Sequence, residues 1–196
     1  YDNSGNIEIN NNYFNYPITP DVIKNTAIRV ENPSSNSIDL RIESNWIFNA
    51  TTGILCRNVP KAIVGKRNRI YFFADNSTLT TLGFNEAISL ENCNDSYVLL
   101  NEVYRYIDPD PSMPEIMRGI SIDKTTNAYV YGNNLRKMGQ GIKFGGQCDY
   151  TQLHCNVMLD NFNGVFLDNS SQSDQGVPTE SWDNYWNNQV DPSWYR

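Results

Sequence analysis

The chain is poor in the residues that usually announce a chemistry. It has one histidine, His154, and four cysteines in 196 residues. Four cysteines at this length do not make a disulfide framework. Cys148 and Cys155 flank one turn, and a bridge between them requires Cα atoms about 4.4–6.8 Å apart. Their spacing has no second pair, so it does not make a zinc motif. No phosphate loop and no Ser-His-Asp arrangement occurs either. Basic residues are outnumbered, with 15 Lys and Arg against 22 Asp and Glu, a net charge of −7 and a pI near 4.6. Without a basic patch, nucleic acid is excluded as a partner. An acidic surface permits Ca²⁺ binding or simple solubility. No apolar run approaches membrane-spanning length. No signal peptide is evident, and the chain opens inside a strand pattern, so an upstream part is expected to have been removed or left out. The apolar fraction, 39%, is low for a globular core.

What the chain does have is a repeat. A small residue followed by apolar, variable and apolar positions occurs at Ala27-Ile28-Arg29-Val30, Gly53-Ile54-Leu55-Cys56, Ala87-Ile88-Ser89-Leu90 and Gly119-Ile120-Ser121-Ile122. It occurs twice more, at Gly141-Ile142-Lys143-Phe144 and Gly164-Val165-Phe166-Leu167. Between these units stand Asn12, Asn45, Asn68, Asn101, Asn133 and Asn156, each after a short β-prone run such as Leu40-Arg41-Ile42. From small residue to next Asn the spacing stays between 14 and 18 residues. From Asn to the next small residue it is 8 in three repeats and 15 to 19 in the other three. Half of each repeat is therefore nearly constant, and the other half accepts insertions at one place.

Short strands with period-2 apolar positions and short turns suit a packed coil. The expected fold is all-β: a right-handed parallel β-helix, or solenoid, of about six coils with loop insertions on one side. Equivalent strands stack about 4.8 Å apart. The six asparagines then form a hydrogen-bonded ladder, as stacked Asn side chains do in cross-β structures. A second ladder is expected through Asn32, Asn58, Asn92 and Asn169, interrupted by Lys124 and Gly146. Insertions are expected at Tyr16–Thr26, Asp75–Glu86 and Ile107–Arg118, the last two in contact. Residues 1–168 form the coils, and 169–196 form an exit loop and an aromatic-rich cap containing Trp182, Tyr185, Trp186, Trp194 and Tyr195. Solenoid ends need such caps for solubility.

These repeats resemble those of the pectin-lyase-like β-helix superfamily. In addition, Thr151-Gln152-Leu153-His154-Cys155-Asn156-Val157-Met158, Gly164-Val165-Phe166-Leu167 and Ser173-Asp174-Gln175-Gly176-Val177-Pro178 resemble the last coil and exit of secreted bacterial surface proteins. In those proteins a β-helix precedes a C-terminal sorting domain for type IX secretion. The resemblance implies a secreted or cell-surface location. It also implies a larger parent chain, with surface polysaccharide, other surface proteins or the secretion machinery as partners. The enzymes of the superfamily use a carboxylate cluster with Ca²⁺ and an Arg or Lys base, or Asn-Thr-Asp, Asp-Asp, Gly-His-Gly and Arg-Ile-Lys motifs. None of those strings is present.

Three functions follow as expectations. The first is a non-catalytic extracellular or cell-surface module acting as a stalk, adhesin or assembly component, with no cofactor. The second is a polysaccharide lyase or glycoside hydrolase. Its residues would be Glu91 and Asp123, outward and equivalent in adjacent coils, with Arg118 converging on them; the same two carboxylates are the Ca²⁺ candidates. The third is a carbohydrate-binding module, recognised by an exposed row of aromatics. On strand position Cys56 is a buried thiol and His154 a surface strand residue.

Overall fold

The computed structural model describes residues 5–17, 25–32, 38–74, 85–113, 116–171 and 184–187. Its strands stack into three parallel sheets of six, seven and six strands, which makes a parallel β-helix. Sheet A begins with Asn6–Asn10 and Asp39–Glu43 and ends with Gln152–His154. Sheet B begins with Tyr13–Asn15 and Trp46–Phe48, and sheet C with Thr26–Glu31 and Thr52–Arg57. Each coil visits A, B and C in turn.

The alternation of side chains in each strand builds the core. In Asp39–Glu43, Leu40 and Ile42 are fully buried while Asp39, Arg41 and Glu43 face outward. Register stacks such positions into columns. Ile9, Ile42, Val64, Val98, Val130 and Leu153 run down sheet A. Ile28, Ile54, Ile88, Ile120, Ile142 and Val165 run down sheet C. Cys56 occupies the parallel column with Val30 and Leu90, fully buried, and burial pushes its thiol pKa up.

The glycines near the start of three sheet C strands, Gly53, Gly119 and Gly141, have a steric cause. A Cβ on Gly119 would stand 2.6 Å from the carbonyl oxygen of Gly141, and one on Gly141 2.6 Å from that of Gly164.

Sheets A and B meet at the asparagine ladder. The amide nitrogens of Asn12, Asn45, Asn68, Asn101 and Asn133 each donate to the side-chain oxygen of the next ladder residue at 2.9–3.0 Å. Asn156 does the same to Asn184 at 3.0 Å. Asn184 is a ladder member beyond the six expected from the sequence. It precedes Tyr185–Asn187, a seventh strand of sheet B. Trp186 there continues the inward column that ends in Met158, and its ring lies 3.5–3.7 Å from where a Cβ on Gly164 would stand. It therefore covers the last coil, while Trp182, Trp194 and Tyr195 lie outside the described residues.

The second stack takes a different form from the one expected. Asn58, Asn92, Lys124, Gly146 and Asn169 are all left-handed, so backbone conformation repeats at this corner. Asn92 donates to the side-chain oxygen of Asn58 at 3.2 Å, and Asn32 lacks the left-handed conformation.

The long connections fall at the corner from sheet B to sheet C, after Asn15, Phe72 and Arg105. At that corner Phe73 stacks on Tyr106 at 4.2 Å, and Asn85 donates to the carbonyl of Ile116 at 3.1 Å, so the second and third insertions touch at their roots.

Candidate functional site

The outer face of sheet C holds the acid–base candidates named from sequence. Glu91 and Asp123 are register partners in adjacent strands. Arg57 bridges the two neighbouring acids, reaching Glu31 at 2.8 Å and Glu91 at 2.6 Å. Arg118 does not join them. It sits near the opposite end of Met117–Asp123, roughly 16 Å from Asp123 along an extended strand. There it pairs with Glu86 at 2.9 Å and donates to Gln140 at 3.3 Å. Among the described residues no group of three or more His, Cys, Asp or Glu could hold a metal. Two carboxylates alone fall far short of the six to eight oxygens that Ca²⁺ takes.

Cys148 and Cys155 are free thiols. Cys148 is buried with its sulfur directed at the carbonyls of Ile122 and Gly145, whereas Cys155 is exposed at a left-handed corner. His154 lies half-buried beside Tyr129, with ring centroids 5.0 Å apart, and burial lowers its pKa. On sheet C, Lys143 bonds Asp168 at 2.9 Å and holds that carboxyl below its ordinary range.

The outer face of sheet B carries a different arrangement. Register lines up Tyr13, Trp46, Arg69, Glu102 and Asn134 in one outward row. The second outward row is Asn15, Phe48, Tyr71, Tyr104, Arg136 and Leu159. Phe73 and Tyr106 follow at the corner. Ring centroids along this band are 5.3 Å apart for Tyr13–Phe48 and for Phe48–Tyr71, and 6.3 Å for Phe48–Phe73. Arg69 lies over Trp46 at 4.5 Å and Arg136 over Tyr104 at 5.4 Å, extending the band with flat guanidinium groups.

The stack ends in the fourth coil. Phe48 and Tyr71 lie nearly parallel, at 23°, so each covers the other's face. Tyr106 instead meets Tyr104 at 75° and is half exposed. Beyond them the row continues with Arg136 and Leu159. A hollow of about 290 Å³ opens at this break, walled by Tyr71, Tyr104, Tyr106, Glu102, Arg136 and Leu159. A second hollow of about 300 Å³ adjoins it on the side of sheet A, lined by Arg67, Arg69, Leu100 and Gly132. Glu102 and Asn134 belong to both and form the ridge between them.

The polar groups here are held in place. Glu102 receives Arg69 at 3.2 Å, and Arg136 reaches Asp160 at 3.2 Å. Burial, and then the charge of Glu102, raise the pKa of Tyr71, so its hydroxyl stays protonated and able to donate. Neither hollow was visible as a motif. In three-residue strands two outward aromatics are separated by one inward residue, as in Trp46-Ile47-Phe48, and only the register brings successive pairs together.

No protein-family model matches the chain, and no curated protein and no solved structure matches it either.

Proposed function

We propose that the chain is a non-catalytic, secreted or cell-surface β-helix module that binds a glycan on the outer face of sheet B, as part of a larger secreted protein. One observation carries this reading: a seven-membered run of rings on a rigid face ends in an open hollow whose walls are tyrosine rings and whose rim is carboxylate, amide and guanidinium. Sugar rings have apolar C–H faces and hydroxyl edges, and a tyrosine face beside hydrogen-bonding groups matches both. The hollow sits at the lower end of small-molecule pocket sizes, about 300 Å³, so it suits one ring at a time. The enzymatic alternative loses its main support, because Arg118 stands apart from Glu91 and Asp123.

Affinity electrophoresis through gels containing soluble plant, algal and bacterial polysaccharides tests the proposal. At least one glycan should retard the protein. Tyr106→Ala should weaken that retardation about three- to tenfold, the value of one stacked ring. Migration unaffected by every glycan class would remove the binding function from this face.

A further inference from the structure

One corner of the solenoid departs from its equivalents. Between sheets A and B a single left-handed residue precedes the ladder asparagine: Asn11, Ser44, Leu100, Gly132 or Cys155. In the third coil there are two, Lys66 at φ 46° and Arg67 at φ 76°, before Asn68. The pairing on either side is unchanged, with Gly65 opposite Glu43 and Arg69 opposite Trp46. The extra residue is therefore taken up wholly by the corner, where it bulges outward. Its backbone is secured: Lys66 N donates to Leu99 O and Arg67 N to Leu100 O, each at 3.0 Å.

Left-handed corners of this solenoid also accept Ser44, Leu100 and Cys155, so the distinction of the third coil lies in its extra residue and its charge. Its corner carries Lys-Arg-Asn-Arg, three cations in four residues of a chain whose net charge is −7. Two of the three have acid partners: Lys66 meets Glu43 at 3.3 Å and Arg69 meets Glu102 at 3.2 Å. Arg67 is exposed and makes no ion pair among the described residues, and it lines the hollow that adjoins the tyrosine-walled one. Arg69 uses its Nε for Glu102, which leaves its Nη donors.

The geometry points to an anion subsite in this second hollow, so that the glycan bound by the face is an acidic one. Arg67, assisted by Arg69, takes a carboxylate or sulfate on the sugar next to the one seated against Tyr104 and Tyr106. A guanidinium fork suits either group, since both present paired oxygens. This inference rests on the glycan-binding reading of the neighbouring hollow.

Titration calorimetry of the full 196-residue chain tests it with three oligosaccharides of equal length: uronate-bearing, sulfated and neutral. One of the acidic two should bind about tenfold tighter than the neutral one, the size of one charge-assisted hydrogen bond, and the arm that does so identifies the group. Arg67→Asn suits the left-handed corner and should abolish that preference while leaving neutral affinity unchanged. Arg67→Lys should retain part of it. Equal affinity for all three, or a preference that survives Arg67→Asn, overturns the anion subsite and leaves glycan binding standing. Binding to none of the three, nor to any glycan in the gels, overturns both.

Discussion

The side-chain oxygen of Asn133 accepts two hydrogen bonds from Asn101, one from the backbone N–H at 3.0 Å and one from the amide at 2.9 Å. The Asn133 amide in turn donates to Val98 O at 2.8 Å and to Asn156 at 2.9 Å. All three asparagines are buried, so each lost partner leaves a polar group away from water. Asn133→Ala should therefore destabilise the domain by on the order of 3 kcal/mol. Asn12 stands at the exposed end of the ladder and only donates from its side chain, so Asn12→Ala should cost less than about 1 kcal/mol. Equal shifts in urea midpoint for the two variants would show that the ladder is not a stabilising element.

The corner glycines allow a sharper contrast. A Cβ on Gly141 would press on Gly164 O at 2.6 Å and on the Asn161 amide at 2.9 Å, whereas one on Gly5 meets nothing within 4 Å among the described residues. Backbone cannot rotate away as a side chain can. Gly141→Val should lower stability by about 3 kcal/mol, and Gly5→Val should leave it unchanged within about 0.5 kcal/mol. Indistinguishable thermal melts would contradict the close approach of coils at this corner.

These two features were also the most legible in the sequence. Asn and the small residue recur because each has a physical task repeated in every coil: closing a buried hydrogen-bond chain, and letting one strand start beneath another. Asn184 escaped notice because it stands 20 residues after Gly164, where the earlier repeats place their Asn 14 to 18 residues after the small residue. The aromatic face escaped because its members are neighbours only across coils. Arg67 left a faint trace, a spacing of 15 from Gly53 to Asn68 where the next two repeats have 14. The same value arises between Gly141 and Asn156 from an extra residue between Gly145, which pairs with Asp123, and Gln152, which pairs with Tyr129, so spacing alone could not place the bulge. Nearness in the chain groups Arg118 with Glu91 and Asp123, yet it is buried five residues before Asp123, paired with Glu86 and Gln140 at the other end of the strand.

Acid should weaken the fold in a definable window. Burial holds the pKa of His154 below its ordinary 6.5, so between the two values the unfolded chain binds more protons than the folded one. Stability then rises with pH across that window. This contribution is fully present above pH 6.5 and is lost as pH falls toward the lowered folded value. Asp168, held down by Lys143, adds a loss of the same sign below its ordinary 3.8. The melting temperature should thus fall between about pH 7.5 and pH 5.5, and His154→Gln should flatten that fall. A fall of the same size in the variant would assign the acid sensitivity to other groups.

Cleavage of acidic glycans is the remaining question, and the sheet C geometry bears on it directly. Elimination from a uronate needs a cation at the carboxylate and a base within hydrogen-bond reach of the α-proton. Hydrolysis needs two carboxyl groups about 5–5.5 Å apart for retention or 6.5–9.5 Å for inversion. Glu91 is bound through Oε2 to Arg57 at 2.6 Å, so that oxygen is already committed to an ion pair. Arg118 is committed to Glu86 at the far end of the strand and cannot serve Asp123 as a base or charge clamp. The domain should therefore bind an acidic glycan on sheet B and leave polygalacturonate and alginate intact, with or without added Ca²⁺. Unsaturated product absorbance and new reducing ends, followed together, would reveal elimination and hydrolysis separately. Turnover abolished by Glu91→Gln or Asp123→Asn would place an active site on sheet C after all. Turnover indifferent to both would place it among the insertions at the corner between sheets B and C.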